Sequence, residues 1–299
     1  MSDVKNKYKA TVIVPTYNRS KLLDYTLNSI YLQDIPRDDF EVVVADDGSS
    51  DNTLEVVNSY QSKLNLKYEF QEDLGYRPAS ARNLGILASE AELCIFIDAG
   101  VIINSNCIRE HIKFHQEKGS VAAIGYVFGF DQGDGMIGML KKMIDPYKPQ
   151  ESMAKLGKNR MFIDVRDYHY ITYHDQLQDL PAPWLYFWTC HISATRENIL
   201  RVGLFDERYN GKWGCEDNDL GFRLHHNGAP IHLLRAAEAL HIPHHEDFEE
   251  KKKQGHENCA VFNNKFQTLE TQLFLDTYLN EIFTDINAMS IHCRLKEKV

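Results

Sequence analysis

EVVVADDGSSD, residues 41–51, is a β-branched apolar run that ends in a polar turn, and it decides the fold of this 299-residue chain. Similar short runs occur at residues 11–14, 66–70 and 93–97, and the segments between them place apolar residues on one helical face. This alternation predicts an α/β fold with a mostly parallel, Rossmann-like central sheet flanked by helices. Ligands bind such sheets at the carboxyl ends of the strands, so the residues that follow each strand are candidates for a functional site.

The residues that follow the predicted strands are polar. They are residues 15–19 after the first strand, 46–51 after the second, 75–77 beyond the third and Asp98 after the fourth. Because parallel strands bring their carboxyl ends to one edge of the sheet, we expect these side chains to cluster where a nucleotide would bind.

Composition and charge restrict the possible partners. The chain is 43% hydrophobic and 25% charged, as expected of a folded globular protein, and its net charge is −10. This charge repels polyanions, so no nucleic acid is expected as a partner. An anionic substrate would need a local device, such as a metal ion or a helix N-terminus.

The sequence also bears on the cellular compartment. The N-terminal residues lack the apolar stretch of a signal peptide, and the apolar run at residues 93–103 is too short for a transmembrane segment. The six cysteines lack Cys-x-x-Cys spacing, which favours reduced thiols. These features favour a cytoplasmic protein.

The middle of the chain is less regular than its beginning. Residues 121–130 predict a fifth strand, whereas residues 131–182 predict a long excursion that is partly loop. GDGMIG, residues 133–138, matches a dinucleotide-binding glycine pattern only formally, because it follows the fifth predicted strand and not the first. It is interpreted as a flexible turn.

Two helices are predicted from their ends. Thr195 is expected to cap a helix that ends at Gly203, and residues 216–226 predict a helix closed by Asn227 and Gly228. Beyond His245 the pattern is helical to the end of the chain.

Three segments, TVIVPTYNR (11–19), ADDGSSD (45–51) and GYRPASARNLGI (75–86), resemble in order and spacing the family 2 glycosyltransferases of the GT-A fold. The resemblance implies a GT-A catalytic domain over residues 1–245, followed by a C-terminal helical extension over residues 246–299. It also implies a nucleotide-sugar donor.

The resemblance assigns roles to the polar cluster. Asp47 would contact the base, Arg82 would support the nucleotide, and the uridine site would be lined by Pro15, Thr16 and Tyr17. The chemistry agrees, because a uracil N–H needs an acceptor such as a carboxylate and arginine suits charge near phosphates.

Asp98 occupies the strand end where this family normally carries Asp-x-Asp, whose last acid binds manganese or magnesium. Here the third position is Gly100, so one expected metal ligand is missing. Asp98 would hold the ribose or the metal; an aspartate that only makes a strand-end turn is the open alternative.

KWGCEDNDLGFRL, residues 212–224, resembles the Trp-Gly-Gly-Glu-Asp segment of galactosyl- and N-acetylgalactosaminyltransferases and of chondroitin-type polymerases. Cys215 stands in place of the second glycine. By this resemblance Asp217 is the general base and Glu216 holds the acceptor or donor sugar. Trp213 and Gly214 would meet a sugar ring. Helix-capping acids, favoured by the helix dipole, are the simpler alternative for the pair of acids.

LHIPHHED, residues 240–247, contains three histidines, and neutral imidazole is a common metal ligand. In related glycosyltransferases a histidine near this position completes the metal site. His241 is the first candidate and His244 the second, each expected to act with Asp98 on manganese or magnesium as a Lewis acid.

Together these features predict an inverting glycosyltransferase, either a hexosyl- or an N-acetylhexosaminyltransferase. It would move a sugar from a UDP-sugar to a hydroxyl of a glycan, a peptide or a small molecule. Two alternatives stay open: a nucleotide-sugar-binding homologue that is weak or inactive in catalysis, and a metal-dependent hydrolase built on the histidines. The sequence does not indicate which sugar is moved, which acceptor is used or what the oligomeric state is.

Overall fold

The computed structural model describes residues 7–129, 134–244, 248–278 and 284–296. Within these ranges the chain forms one eight-stranded sheet with helices packed against it. The strands are β1 Tyr8–Thr16, β2 Phe40–Asp46, β3 Leu66–Phe70, β4 Ala91–Ile97, β5 Val101–Ile103, β6 Ala122–Phe128, β7 His191–Thr195 and β8 Ile231–His241. The helices are α1 Ser20–Tyr31, α2 Thr53–Tyr60, α3 Pro78–Ala88, α4 Cys107–Lys118, α5 Asp134–Met143, α6 Pro149–Asn159, α7 Asp167–Thr172, α8 Arg196–Val202, α9 Glu216–His226, α10 Phe248–Phe266, α11 Leu269–Thr277 and α12 Ile286–Lys296.

The strand order is β3-β2-β1-β4-β7-β6-β8-β5. The first four strands in this order pair in parallel, as their sequence pattern predicts, and β6 pairs in parallel with β8. Strand β7 runs antiparallel to both of its neighbours, and β5 runs antiparallel to β8. The sheet is therefore mixed, with the predicted parallel, Rossmann-like arrangement at its N-terminal half.

The two faces of the sheet carry separate hydrophobic clusters. In β1, Ile13 packs in one cluster, whereas Val12 and Val14 pack in the other, as strand alternation requires. The cluster of Val12 and Val14 includes residues of α1 and α4, and the cluster of Ile13 extends to α9 and the C-terminal helices. Both faces of the sheet are thus covered.

The prediction that residues 131–182 form a long excursion that is partly loop is confirmed, although the described part of this region also contains α5, α6 and α7, which the sequence did not predict. Pro149 begins α6 and does not interrupt a helix. The interpretation of GDGMIG as a flexible turn is wrong for its described part, because Gly135 and Gly138 lie within α5. Gly133 lies outside the described residues.

Both helices predicted from their ends are confirmed. The Thr195 side chain accepts a hydrogen bond from the Asn198 backbone N–H at the start of α8, and Gly203 ends that helix with φ of 92°. Helix α9 spans Glu216–His226, as predicted. The second of these helices carries the two acids of the proposed site.

The predicted C-terminal helices are present and pack against the rest of the protein. Phe262 and Phe274 make edge contacts with the buried Trp184, and Phe266 stacks on Phe222 of α9. Lys265 forms an ion pair with Asp219 of α9. Helices α10 and α11 therefore complete the hydrophobic core behind α9. Among the described residues, no helix combines the length and hydropathy needed to span a membrane.

Candidate active site

The two adjacent aspartates after β2 have different environments. Asp46 is fully buried and accepts hydrogen bonds from the Gly48 and Ser49 backbone N–H groups, at 3.1 and 2.8 Å, and from the Tyr68 hydroxyl at 2.7 Å. Gly48 has φ of +95°, and a Cβ there would lie 2.4 Å from the Asp73 backbone nitrogen. Asp46 therefore shapes the turn, which leaves its neighbour available for a ligand.

Asp47 faces the segment that connects β3 to α3. Its carboxylate accepts hydrogen bonds from Gln71 Nε2 at 2.6 Å and from the Arg77 backbone N–H at 2.8 Å. The Arg77 guanidinium lies 3.1 Å from the same carboxylate. Burial raises the pKa of Asp47, and its hydrogen bonds and Arg77 oppose the rise.

The residues predicted to line the uridine site lie beside Asp47. Pro15 pairs with Ala45, and the Asp47 backbone N–H donates to the Thr16 carbonyl at 2.9 Å. Tyr17 is 42% exposed, and its hydroxyl donates to Asp73 at 2.8 Å. The structure thus brings together the two segments that the sequence pointed to, at the predicted edge of the sheet.

Arg82 connects the end of β4 to the start of α9. Its guanidinium lies 3.1 Å from Asp98 and 2.9 Å from Glu216, over the ring of Phe205 at 5.6 Å from the ring centroid. Arg82 and Glu216 are each about 5% exposed, whereas the side chain of Asp98 is 35% exposed. Ions that are buried need partners, and here one cation serves two carboxylates from distant parts of the chain.

Asp217 follows Glu216 in the first turn of α9 and is partly exposed. Its carboxylate accepts hydrogen bonds from the Asn218 backbone N–H at 2.8 Å and from the Thr189 backbone N–H at 3.4 Å. Burial, and after it the charge of Glu216, raise the pKa of Asp217 to about 7, against the opposing effect of Arg82. A carboxylate with a pKa near neutrality suits a proton acceptor.

The turn before α9 has a left-handed backbone. Gly214 has φ of +96° and Cys215 has φ of +70°. Only glycine adopts this conformation without steric cost, which explains why the related segments carry glycine where this chain has Cys215. Cys215 therefore occupies a backbone conformation that favours glycine.

Helix α10 holds this turn in place, a contact that the sequence did not predict. The Asn258 side chain donates hydrogen bonds to the carbonyls of Gly214, at 2.9 Å, and of Lys212, at 3.2 Å. The Trp213 backbone N–H donates to Gln254 at 2.9 Å, and the ammonium group of Lys251 lies 5.4 Å from the Trp213 ring centroid. The helical pattern beyond His245 gave no sign of this contact, because periodicity alone does not show which turn a helix packs against.

The two candidate histidines lie near Asp98. His241 pairs with Val101, the Ile242 backbone N–H donates to the Gly100 carbonyl at 2.8 Å, and the rings of His241 and His244 are 5.1 Å apart. His244 Nε2 lies 2.6 Å from the Arg19 guanidinium. His245 lies outside the described residues.

Asp98, His241 and His244 do not form a converged metal site. Across residues 7–129, 134–244, 248–278 and 284–296, three histidine, cysteine or acidic side chains converge within 4.8 Å only at Cys107, His111 and His191. Asp98 is paired with Arg82, and His244 contacts Arg19. Both side chains would have to rotate away from these arginines to bind one ion.

Tyr76, one of the residues expected at the strand ends, also lies at this site. Tyr76 is 45% exposed. Its carbonyl accepts a hydrogen bond from the Gly211 backbone N–H at 2.6 Å. The loop before α3 thus meets the segment before α9, which joins the nucleotide side of the cluster to the acids of α9.

The cluster lies at the strand ends of an α/β sheet, where enzymes of this architecture bind their ligands, and sequence comparison gives the family. The chain belongs to glycosyl transferase family 2, whose model matches residues 11–200. The model of the N-terminal domain of galactosyltransferase matches residues 176–245, which include the Trp-Gly-Cys-Glu-Asp segment.

Curated relatives match most of the chain. Validoxylamine A glucosyltransferase from Streptomyces hygroscopicus subsp. jinggangensis is 37% identical over 265 residues, which are 88% of this chain and 62% of that protein. Chondroitin synthase from Escherichia coli is 30% identical over 241 residues, which are 77% of this chain and 34% of that protein. The chain thus spans about three-fifths or less of the length of these relatives.

Solved structures share the fold. Staphylococcus aureus TarS residues 1–349, in complex with UDP-GlcNAc, aligns with a TM-score of 0.59 at 23% identity, covering 97% of this chain and 77% of that one. The mannosyltransferase PcManGT from Pyrobaculum calidifontis, in complex with GDP-Man and Mn²⁺, aligns with a TM-score of 0.62 at 18% identity, covering 98% and 76%. The similarity confirms the predicted GT-A fold.

Proposed function

We propose that this protein is an inverting glycosyltransferase that moves a hexose or N-acetylhexosamine from a UDP-sugar to an acceptor hydroxyl, with Asp217 as the general base. The observation that carries the proposal is the position of Asp217 at the start of α9, beside Glu216, whose ion pair with Arg82 links it to Asp98 at the end of β4. The UDP-GlcNAc bound to TarS and the glucosyltransferase name of the validoxylamine relative support this class of donor.

The nucleotide would bind at the ends of β1 and β2. Asp47 would exchange its hydrogen bonds with Gln71 and Arg77 for the uracil N–H, which needs an acceptor. Tyr17, with its exposed ring, and the backbone of Pro15 and Thr16 would line the base. When uracil replaces Arg77 as the partner of Asp47, the Arg77 guanidinium becomes available to bind a phosphate of the donor. Guanidinium groups bind phosphates well.

The acceptor would bind on the α9 side of the cluster. Trp213 is partly exposed and offers an aromatic face, Gly214 allows close approach of the backbone, and Glu216 would accept a hydrogen bond from a sugar hydroxyl. Arg82 would fix the position of Glu216 relative to Asp98, and so relate the acceptor side to the donor side.

The transfer step then needs one proton acceptor. Asp217 takes the proton of the acceptor hydroxyl as its oxygen attacks the anomeric carbon, the new C–O bond forms, and the bond from that carbon to the diphosphate oxygen breaks. Attack from the face opposite the leaving UDP inverts the anomeric configuration. General base catalysis of this kind contributes on the order of a hundredfold to ten-thousandfold.

A divalent ion would be held by Asp98, His241 and His244 once their side chains have rotated toward one another. One carboxylate with two imidazoles suits Mn²⁺ better than Mg²⁺, because Mg²⁺ prefers oxygen ligands. When bound, the ion would neutralise charge on the diphosphate.

Donor binding and product analysis test this proposal. Thermal unfolding with UDP, GDP and a panel of UDP-hexoses and UDP-N-acetylhexosamines, with and without Mn²⁺, should show stabilisation by the uridine ligands. Asp47→Asn should weaken it, whereas Asp38→Asn, an exposed position before β2, should not. NMR of the transfer product should show an inverted anomeric centre. Stabilisation by UDP-sugars without turnover across an acceptor panel would instead favour the inactive homologue, and retained configuration would exclude the proposed step.

A further inference from the structure

A buried group of histidines and a cysteine lies between α4 and the sheet, outside the proposed active site. Cys107, His111 and His115 follow each other at four-residue spacing and share one face of α4. His191 and Ser193 of β7 point toward that face. Cys107, His111, His191 and Ser193 are fully buried, and His115 is 8% exposed.

Three donor atoms of this group converge. His111 Nε2 lies 2.9 Å from His191 Nε2, and Cys107 Sγ lies 3.3 Å from the same nitrogen. All three atoms lie within 4.8 Å of one another. Two imidazole nitrogens and a sulfur aimed at one point form a donor set for a soft or borderline cation.

The surroundings fix the orientation of both imidazole rings. His111 Nδ1 lies 2.9 Å from the Ser193 hydroxyl, which in turn lies 2.8 Å from His115 Nε2. The ring of His191 packs directly against Gly125, where a Cβ would lie 2.1 Å from the ring Nδ1. A polar partner on the outer ring nitrogen of His111, and close packing against His191, are what orient metal-binding histidines in proteins.

We propose that Cys107, His111 and His191 bind one Zn²⁺ inside the core, between α4 and β7. The thiol proton leaves to solvent as the thiolate binds, so affinity increases with pH. Ligand atoms on a tetrahedral zinc, with zinc–nitrogen bonds of about 2.0 Å, stand about 3.3 Å apart, so the two imidazoles separate by a few tenths of an ångström on binding.

The site is structural and distinct from the proposed manganese site. His191 pairs with Ile97, the residue before Asp98. It lies two positions after Thr189, whose backbone N–H donates a hydrogen bond to Asp217. An ion here joins α4 to β7 behind the strand ends that carry the active site. Because the site is enclosed, the ion enters as the chain folds.

Metal content and cobalt spectroscopy of the full chain test this proposal. Protein produced in zinc-supplemented medium should retain one zinc per chain after dialysis, and protein refolded with Co²⁺ should show thiolate-to-cobalt charge-transfer absorption. Cys107→Ser should lose that absorption. Cys94→Ser, a buried thiol in the cluster on the other face of the sheet, should keep it.

A measurement on the unaltered chain covers the case in which Cys107→Ser fails to fold. Refolding in zinc should give a higher unfolding midpoint than refolding in EDTA. Substoichiometric zinc, no charge-transfer absorption and equal midpoints would overturn the proposal and leave a network of hydrogen-bonded neutral imidazoles. Equal absorption in Cys107→Ser and the unaltered chain would overturn it as well.

Discussion

At the scale of single residues, neighbouring acids differ because their surroundings differ. Asp46 is saturated by turn N–H groups, whereas Asp47 is held by groups that a ligand can replace. Glu216 shares the charge of Arg82, while Asp217 has only backbone donors and a raised pKa. The sequence analysis assigned Asp47 to the base and gave Glu216 and Asp217 different roles, and these contacts supply a physical reason for the difference.

The raised pKa predicts the pH dependence of activity. Asp217 must be ionised to accept a proton, so kcat/KM should fall about tenfold per pH unit below pH 7 and level off above it. The measurement is kcat/KM from pH 5.5 to 8.5 at saturating metal. A flat profile over that range would contradict the assignment of the base.

Arg82→Met should strongly destabilise the protein. It leaves the buried Glu216 without its cation, and removing one partner of a buried ion pair costs about 3–5 kcal/mol. Urea denaturation measures the free energy of unfolding. Arg208→Met is the matched control, because its ion pair with Asp206 is at the surface and should contribute less than about 1 kcal/mol. An equal decrease in the free energy of unfolding in the two variants would show that the ion pair of Arg82 with Glu216 stabilises the protein no more than a surface ion pair.

At the scale of secondary-structure elements, the end signals predicted α8 and α9, whereas the sequence analysis assigned no helix ends to α5, α6 or α7. Thr195 and Gly203 act locally, so a single sequence shows them. Proline and glycine in the middle of the chain were taken for loop signals, although Pro149 begins a helix and Gly138 lies within one. Proline can either begin a helix or interrupt one, and glycine can lie in a loop or within a helix. Tertiary packing decides which of these occurs.

The turn before α9 allows a matched test of backbone strain. Cys215→Gly and Cys215→Ala both remove the thiol, but only glycine adopts φ of +70° without steric cost. The glycine variant should therefore be more stable than the alanine variant by about 1 kcal/mol. Thermal or urea unfolding of the two variants measures this difference. An alanine variant of equal or greater stability would show that the turn changes its conformation.

At the scale of the whole molecule, the sequence predicted the α/β class, the parallel half of the sheet and the strand-end cluster, because each depends on local periodicity. It did not predict the antiparallel β7, the bridging role of Arg82 or the contact of α10 with the Trp213 turn. These depend on contacts between residues that are distant along the chain, which have no signature in a single sequence.

Removal of the C-terminal helices tests how far the fold depends on them. A chain that ends at residue 245 loses the partners of Trp184 and Phe222 and leaves the Asp219 carboxylate without Lys265. We expect this chain to lose cooperative unfolding, because large apolar side chains become exposed. Circular dichroism during heating is the measurement. A truncated chain with the same melting curve would show that residues 1–245 fold without these helices.

The central claim is that Asp217 removes the proton of the acceptor during sugar transfer. The most direct measurement compares single-turnover transfer by the unaltered chain and by Asp217→Asn, with donor affinity measured on both. The account predicts that transfer falls by about a hundredfold to ten-thousandfold while the dissociation constant for the UDP-sugar stays nearly the same. Transfer at an undiminished rate by Asp217→Asn would contradict it.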